Sequence, residues 1–193
     1  MKVLAITGTS RPIGNVSNIV QELRDQFERE GIEFEQVHLY EYEFMNCNSC
    51  YTCEIRGDCR CQDEDDGLND IIGKMVSADG ILMASPTFSG SCPGKMQTFM
   101  ERAYLVMTKG GLPLRGKVGG AFAVCSQWGA TETYNHMVDF MLANGMCVCG
   151  GFPMPVVRAL NSPQYEDDKA GMKGIHDMAD NMIRTLMRIH GYE

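Results

Sequence analysis

From residue 2 to residue 189, short apolar runs alternate with stretches of helical spacing, and few folds accept that alternation. Residues 2–7 (KVLAIT) form an apolar run rich in β-branched side chains, stopped by Gly8. After the polar loop GTSRPIGN, residues 16–30 set Val16, Ile19, Val20, Leu23 and Phe27 at the spacing of a one-sided helix. Gly31 ends that helix, and residues 32–39 (IEFEQVHL) alternate as a second strand. The series then resumes at Gly67. Residues 68–77 read as a helix, 80–84 (GILMA) as a buried strand and 94–107 as a helix. Residues 117–125 (KVGGAFAVC) predict a fourth strand, 131–144 a helix capped by Gly145, and 146–149 a short fifth strand. A proline-bearing tail leads to a closing helix over 170–189. No repeat, low-complexity tract or linker interrupts the series. The expectation is a single domain over 1–193, a doubly wound α/β fold on a five-stranded parallel sheet. In such sheets ligands sit beyond the carboxyl ends of the strands, at the topological switch point. Loops 8–17, 40–66, 85–94 and 126–130 are therefore the ones expected to carry function.

Segment 40–66 is longer than a compact domain normally tolerates without a purpose. It holds five of the nine cysteines. Cys47, Cys50, Cys53 and Cys59 follow C-x2-C-x2-C-x5-C, and Cys61 offers a second choice of last ligand. Asn46, Asn48, Ser49, Thr52, Gly57 and Asp58 around them are turn-formers. Four thiolates on such a loop can wrap a [4Fe–4S] cube, the close trio reaching three irons and a more distant thiolate the fourth. The longer fourth gap and the missing proline set it apart from a ferredoxin domain. Zinc usually takes two separated C-x2-C pairs, and disulfide frameworks belong to small secreted chains. A loop of free thiols is the remaining alternative, since spacing alone does not establish occupancy.

The formal net charge of −8 and pI of about 5.0 argue against a nucleic-acid partner. Part of the acid is local, in Asp63, Glu64, Asp65 and Asp66, which reads as a solvated loop at the rim of the cysteine site. No apolar stretch approaches the ~20 residues of a membrane span. Clustered cysteines without a secretory signal predict a reducing, cytoplasmic setting. The fifteen methionines read as adaptable core filler. Cys92, Cys125, Cys147 and Cys149 are read in the same way, as packing.

Loop 8–17 reads GTSRPIGNVS. It lacks both the G-x-G-x-x-G of dinucleotide sites and the Gly-Lys-Ser/Thr ending of P-loops. Instead it sets the hydroxyls of Thr9, Ser10 and Ser17, the amide of Asn15 and the cation of Arg11 just before a helix. Backbone N–H groups at a helix start favour phosphate, and hydroxyl donors complete its shell. A phosphate monoester such as that of FMN suits this chemistry, and an ordinary helix cap is the alternative. Loop 85–90 (SPTFSG) follows a buried strand and precedes SCPGKMQTFMERA.

Together these segments resemble the flavodoxin-like NADPH-dependent FMN reductase family. Its members carry G-S-P-R-x-x-G-N-T, then S-P-x-Y-x-G-S, then a helix with Lys and an Asp/Glu-Arg pair. With the cysteine spacing added, the likeness is to the iron–sulfur flavoprotein branch, over residues 2 to about 151. The resemblance implies a flavodoxin-like sheet with the cysteine-rich loop inserted after the second strand. It implies FMN and a [4Fe–4S] cluster as cofactors, with NAD(P)H as candidate reductant. By position, Thr9, Ser10, Arg11, Asn15, Val16 and Ser17 would surround the FMN phosphate. Pro86, Thr87, Phe88, Ser89 and Gly90 would border the isoalloxazine ring, with Ser126, Gln127, Trp128 and Gly129 on its other side. Lys95 and Glu101–Arg102 match the helix that follows.

Four positions depart from the pattern. Thr9-Ser10 replace Ser-Pro, Val16 replaces a threonine and offers only its backbone N–H, and Phe88 replaces tyrosine. The x5 gap of the branch selects Cys47, Cys50, Cys53 and Cys59 as metal ligands, whereas counting back from the acidic run selects Cys61. The implied function is electron transfer between flavin and cluster by a flavin-dependent oxidoreductase that needs no catalytic side chain. A clusterless NAD(P)H:FMN or quinone reductase and a non-enzymatic electron carrier are the alternatives. The resemblance also implies a small-molecule or protein redox partner and a homodimer or homotetramer.

Overall fold

The apolar runs pair side by side as parallel strands because the stretches between them are long enough to cross over as helices. The computed structural model describes residues 1–63 and 66–191. Its elements in chain order are β1 (Lys2–Thr7), α1 (Asn15–Arg29), β2 (Glu33–His38), α2 (Thr52–Arg56), α3 (Leu68–Ser77), β3 (Gly80–Pro86) and α4 (Gly94–Lys109), followed by β4 (Val118–Cys125), α5 (Ala130–Ala143), β5 (Cys147–Cys149), β6 (Val156–Arg158) and α6 (Lys169–Ile189). The sheet order is β2-β1-β3-β4-β5, with every pairing parallel. This is the flavodoxin-like order, whose switch point lies between β1 and β3.

The fifth position of the sheet is filled in two pieces. β5 pairs with the first half of β4, from Val118↔Cys147 to Gly120↔Cys149. β6 pairs with the second half, from Ala123↔Val156 to Cys125↔Arg158. The tail expected after residue 149 thus returns to the sheet edge. Segment 40–66 also departs from a structureless reading, since it contains a turn of 3-10 helix at Leu39–Glu41 and the short α2.

Alternating strand residues feed two cores. Leu4, Ile6, Ile81, Met83, Ala121 and Ala123 pack under α3, α4 and α5. Val3, Ala5, Leu82, Ala84, Phe122 and Val124 pack under α1 and α6. The methionines do fill gaps, for a side chain at Gly120 would press on the sulfurs of Met178 and Met182. Of the scattered cysteines, Cys92 and Cys125 are buried, whereas Cys147 is exposed on the outer strand. Among the described residues no helix is long and apolar enough to cross a membrane.

α6 lies backbone-to-backbone on the segment between β5 and β6. A Cβ on Gly174 would overlap the carbonyl oxygen of Pro153, and one on Gly151 would overlap that of Gly174. Neither obstacle is a flexible side-chain end, so the helix itself must shift. Gly174→Ala is expected to cost about 1–3 kcal/mol, a loss of about 2–4 °C in Tm per kcal/mol for a chain of this size. A thermal melt followed by circular dichroism measures it, and an unchanged Tm would refute this packing.

Candidate functional site

One cavity opens beyond the carboxyl ends of the strands, a second lies against the latter half of α4, and α4 connects them. The first, of about 190 Å³, lies at the switch point between β1 and β3. The chain enters it from β1, where the Gly8 N–H donates to Ala84 O at 2.9 Å and ties the loop to β3. Thr9 is buried, and its hydroxyl accepts the Arg11 N–H at 3.2 Å. The Ser17 hydroxyl donates back to Arg11 O at 2.8 Å. The loop is therefore folded around Arg11, whose guanidinium side is left exposed. Gly14 caps α1 in an extended conformation and no side chain takes the first-turn N–H groups. The ordinary-cap alternative is therefore not what the loop adopts. Those N–H groups face the end where a helix favours an anion. Among the described residues the buried Oδ1 of Asn15 has no hydrogen-bond partner, so an acceptor beside the helix start awaits a donor such as a ribityl hydroxyl. Donor set and orphaned acceptor together fit FMN.

The far wall is a tight turn. Phe88 and Ser91 exchange backbone hydrogen bonds at 2.9 and 3.1 Å, while Ser89 (φ 50°) and Gly90 (φ 78°) are both left-handed. That is the backbone of a primed hairpin turn, and it leaves the Phe88 ring 52% exposed. The loop after β4 is fastened to this turn. A Cβ on Gly129 (φ 85°) would overlap Gly90 Cα, and one on Gly90 would overlap the Trp128 ring. Thr133 Oγ1 donates to Gly129 O at 3.0 Å and accepts from Thr87 Oγ1 at 2.9 Å. Arg158 donates to Gln127 O at 3.0 Å.

Thr9, Ser10, Arg11, Asn15, Val16, Pro86, Thr87, Phe88 and Ser126 line this cavity. Ser17, Ser89, Gly90, Gln127, Trp128 and Gly129 stand behind it and brace the loops. The sequence reading missed Gly14, Val124, Cys125, Ala159 and Leu160, which also line it. The last two are carried in by β6. Their signal was the apolar run VVRAL at 156–160, hidden behind the prolines of the tail.

The second cavity, of about 340 Å³, is walled by Cys47, Cys50, Cys53 and Cys61 together with Arg102, Val106 and Lys109. Left-handed backbone at Ser49, Tyr51, Gly57 and Cys59 bends the loop around it. Asn48 Oδ1 accepts the Cys50 N–H at 3.2 Å, and the Ser49 N–H reaches Cys47 Sγ at 3.5 Å. A hydrogen bond from Thr52 holds the Cys50 thiol below the ordinary thiol range, while burial pushes the Cys53 and Cys59 thiols up.

Cys59 does not join this wall. Its Sγ donates to Gly110 O at 3.1 Å and packs on Gly110, where a Cβ would overlap it. Cys61 is fixed instead by Asn69, whose Oδ1 accepts the Cys61 N–H at 2.7 Å and whose Nδ2 donates to Cys61 O at 3.1 Å. Cys61, and not the Cys59 expected from the x5 spacing, thus lines this cavity with Cys47, Cys50 and Cys53. Among the described residues no three potential ligands converge as a preformed metal centre. What the wall offers is thiols with amide donors at their sulfurs, the donor set of an iron–sulfur site.

α4 begins just past the Phe88 turn and runs along the cysteine segment. Lys95 Nζ donates to Tyr42 O at 2.7 Å and lies 4.8 Å from the Phe44 ring centroid. Thr98 donates to Asn46 Oδ1 at 3.0 Å, and Arg102 donates to Met45 O at 3.2 Å. Arg102 also pairs with Asp66. That end of the acidic run is thus tied down, not solvated, while Glu64 and Asp65 lie outside the described residues.

The sequence pattern of the family described as NADPH-dependent FMN reductase matches residues 1–161. An iron-sulfur flavoprotein of Methanocaldococcus jannaschii is 37% identical over 78% of this chain and 76% of its own. One from Methanosarcina thermophila is 28% identical over 96% of this chain and 95% of its own. Among solved structures, RosB with a bound flavin-phosphate intermediate superposes with a TM-score of 0.77 at 18% identity, over 99% of this chain and 81% of its own. A flavodoxin from the Archaea gives 0.60 at 17% identity, over 96% and 99%. At such identities the structural likeness concerns the fold.

Proposed function

We propose that this chain, which belongs to the NADPH-dependent FMN reductase family and to its iron–sulfur flavoprotein branch, passes electrons between FMN at the switch-point cavity and a [4Fe–4S] cluster on the cysteine wall. It is a flavin-dependent oxidoreductase, and the division of labour between its two cavities is the finer reading. When bound, the flavin exchanges electrons in pairs or singly and the cluster exchanges them singly.

Every other part is played by the chain. The first-turn N–H groups of α1, with Thr9, Ser10 and Arg11, hold the phosphate. Asn15 accepts from the ribityl chain, Phe88 covers the ring, and Ser17, Ser89, Gly90, Gln127, Trp128 and Gly129 keep the loops closed. Cys47, Cys50, Cys53 and Cys61 hold the cluster, with Cys59 outside. No side chain is required to move a proton. The observation that carries the reading is the sharing of α4, which starts at the flavin turn and grips the cysteine segment through Lys95, Thr98 and Arg102.

Phe88 and Leu160, which line the first cavity, are 52% and 63% exposed, and Ile13 and Trp128 on the loops that rim it are 81% and 67% exposed. A second copy of the chain covering that rim would complete a homo-oligomeric flavin site.

Anaerobic reconstitution with FMN, ferrous iron and sulfide tests the proposal. The expected product is brown, with iron and sulfide bound in addition to flavin. A yellow protein that binds FMN without iron would reduce it to a clusterless reductase. Steady-state NADPH oxidation by the loaded protein separates an enzyme from a carrier that only relays electrons.

A further inference from the structure

Arg102 is 2% exposed, and a guanidinium in that position must satisfy its donors inside the protein. One arm serves Met45 O at 3.2 Å and the Asp66 carboxylate. The other arm donates to Cys61 Sγ at 2.9 Å, with the exposed Asp63 carboxylate farther off at 3.8 Å. The carboxylate of Asp66 and the Met45 carbonyl both lie on the first arm, so the near partner of the second arm is a sulfur. That contact distinguishes Cys61 from Cys59.

We propose that Arg102 is the positioning residue for the fourth ligand: its fork holds Cys61 Sγ on the cavity wall and makes the cluster easier to reduce. This rests on the cluster reading given above. Hydrogen bonds to ligand sulfurs and nearby net charge are what a protein uses to set a cluster's potential, and outer-shell partners of ligands orient them. The N–H donation draws charge from the sulfur and so favours the more negative, reduced cluster. Burial strengthens that effect because little water competes. Arginine suits the task because its planar fork reaches a carboxylate and a thiolate at once, which a lysine ammonium reaches less rigidly.

The test uses the reconstituted protein and reads cofactor content and the cluster's midpoint potential by anaerobic redox titration followed by electron paramagnetic resonance. Arg102→Lys is expected to keep FMN and to disfavour reduction of the cluster about tenfold, a fall of about 59 mV for a one-electron couple. Asp66→Asn, which removes the carboxylate that balances Arg102, is expected to move the potential the other way. Opposite signs are something a purely structural role would not produce. Loss of iron from Arg102→Lys with FMN retained would also support the positioning role. Loss of both cofactors together, an unmoved potential in Arg102→Lys, or shifts of the same sign in both variants would overturn it. Iron missing from the unsubstituted protein would instead defeat the cluster reading itself.

Discussion

Cys61→Ala is expected to strip bound iron from the reconstituted protein by about tenfold or more while FMN stays in place, and Cys59→Ala is expected to leave iron near the parent level. The two thiols are separated by one residue but face different surroundings. Cys61 lines the cavity with Cys47, Cys50 and Cys53, its backbone clamped by Asn69 and its sulfur met by Arg102. Cys59 has its thiol on Gly110 O, in a left-handed conformation at φ 59°. Turning it inward means breaking that contact and reorienting the backbone. Iron and sulfide analysis with the visible spectrum reads the result. Iron lost from Cys59→Ala and retained in Cys61→Ala would restore the C-x2-C-x2-C-x5-C ligand set. Simultaneous loss of FMN in Cys61→Ala would refute two separable sites.

Gly129→Ala is expected to raise the dissociation constant for FMN by about 10- to 100-fold, which corresponds to about 1.4–2.7 kcal/mol. Two costs combine in this substitution. Gly129 is left-handed at φ 85°, where an alanine is strained. Its added Cβ would also overlap Gly90 Cα and crowd Thr87, and both belong to the turn that presents Phe88. The loops on the two sides of the ring would have to part. Gly116→Ala is the control, being left-handed at φ 80° with nothing within 4 Å of the added carbon. It is expected to lower stability without changing FMN affinity. Quenching of flavin fluorescence on titration gives both constants. Equal affinities for Gly129→Ala and the parent would show that the two loops do not act as one wall.

The architecture and most of the first cavity were legible along the chain, because both are written in local patterns. Helical spacing over α1 and the buried run of β3 each state their partner surface without reference to distant residues. The polar loop ending β1 announces an anion site because its hydroxyls, Arg11 and the helix start are neighbours in the chain. The five strand positions and the identities of Thr9, Ser10, Arg11 and Phe88 as cavity lining were legible for that reason. Contacts between segments far apart in sequence were not legible in this way. β6 becomes a strand because β4 offers it a free edge from Ala123 to Cys125, and it carries Ala159 and Leu160 to the cavity. Cys61 differs from Cys59 because Asn69 on α3 and Arg102 on α4 reach one and Gly110 takes the other. Spacing counts residues along the chain, but which sulfur faces the cavity is set by elements the spacing does not contain.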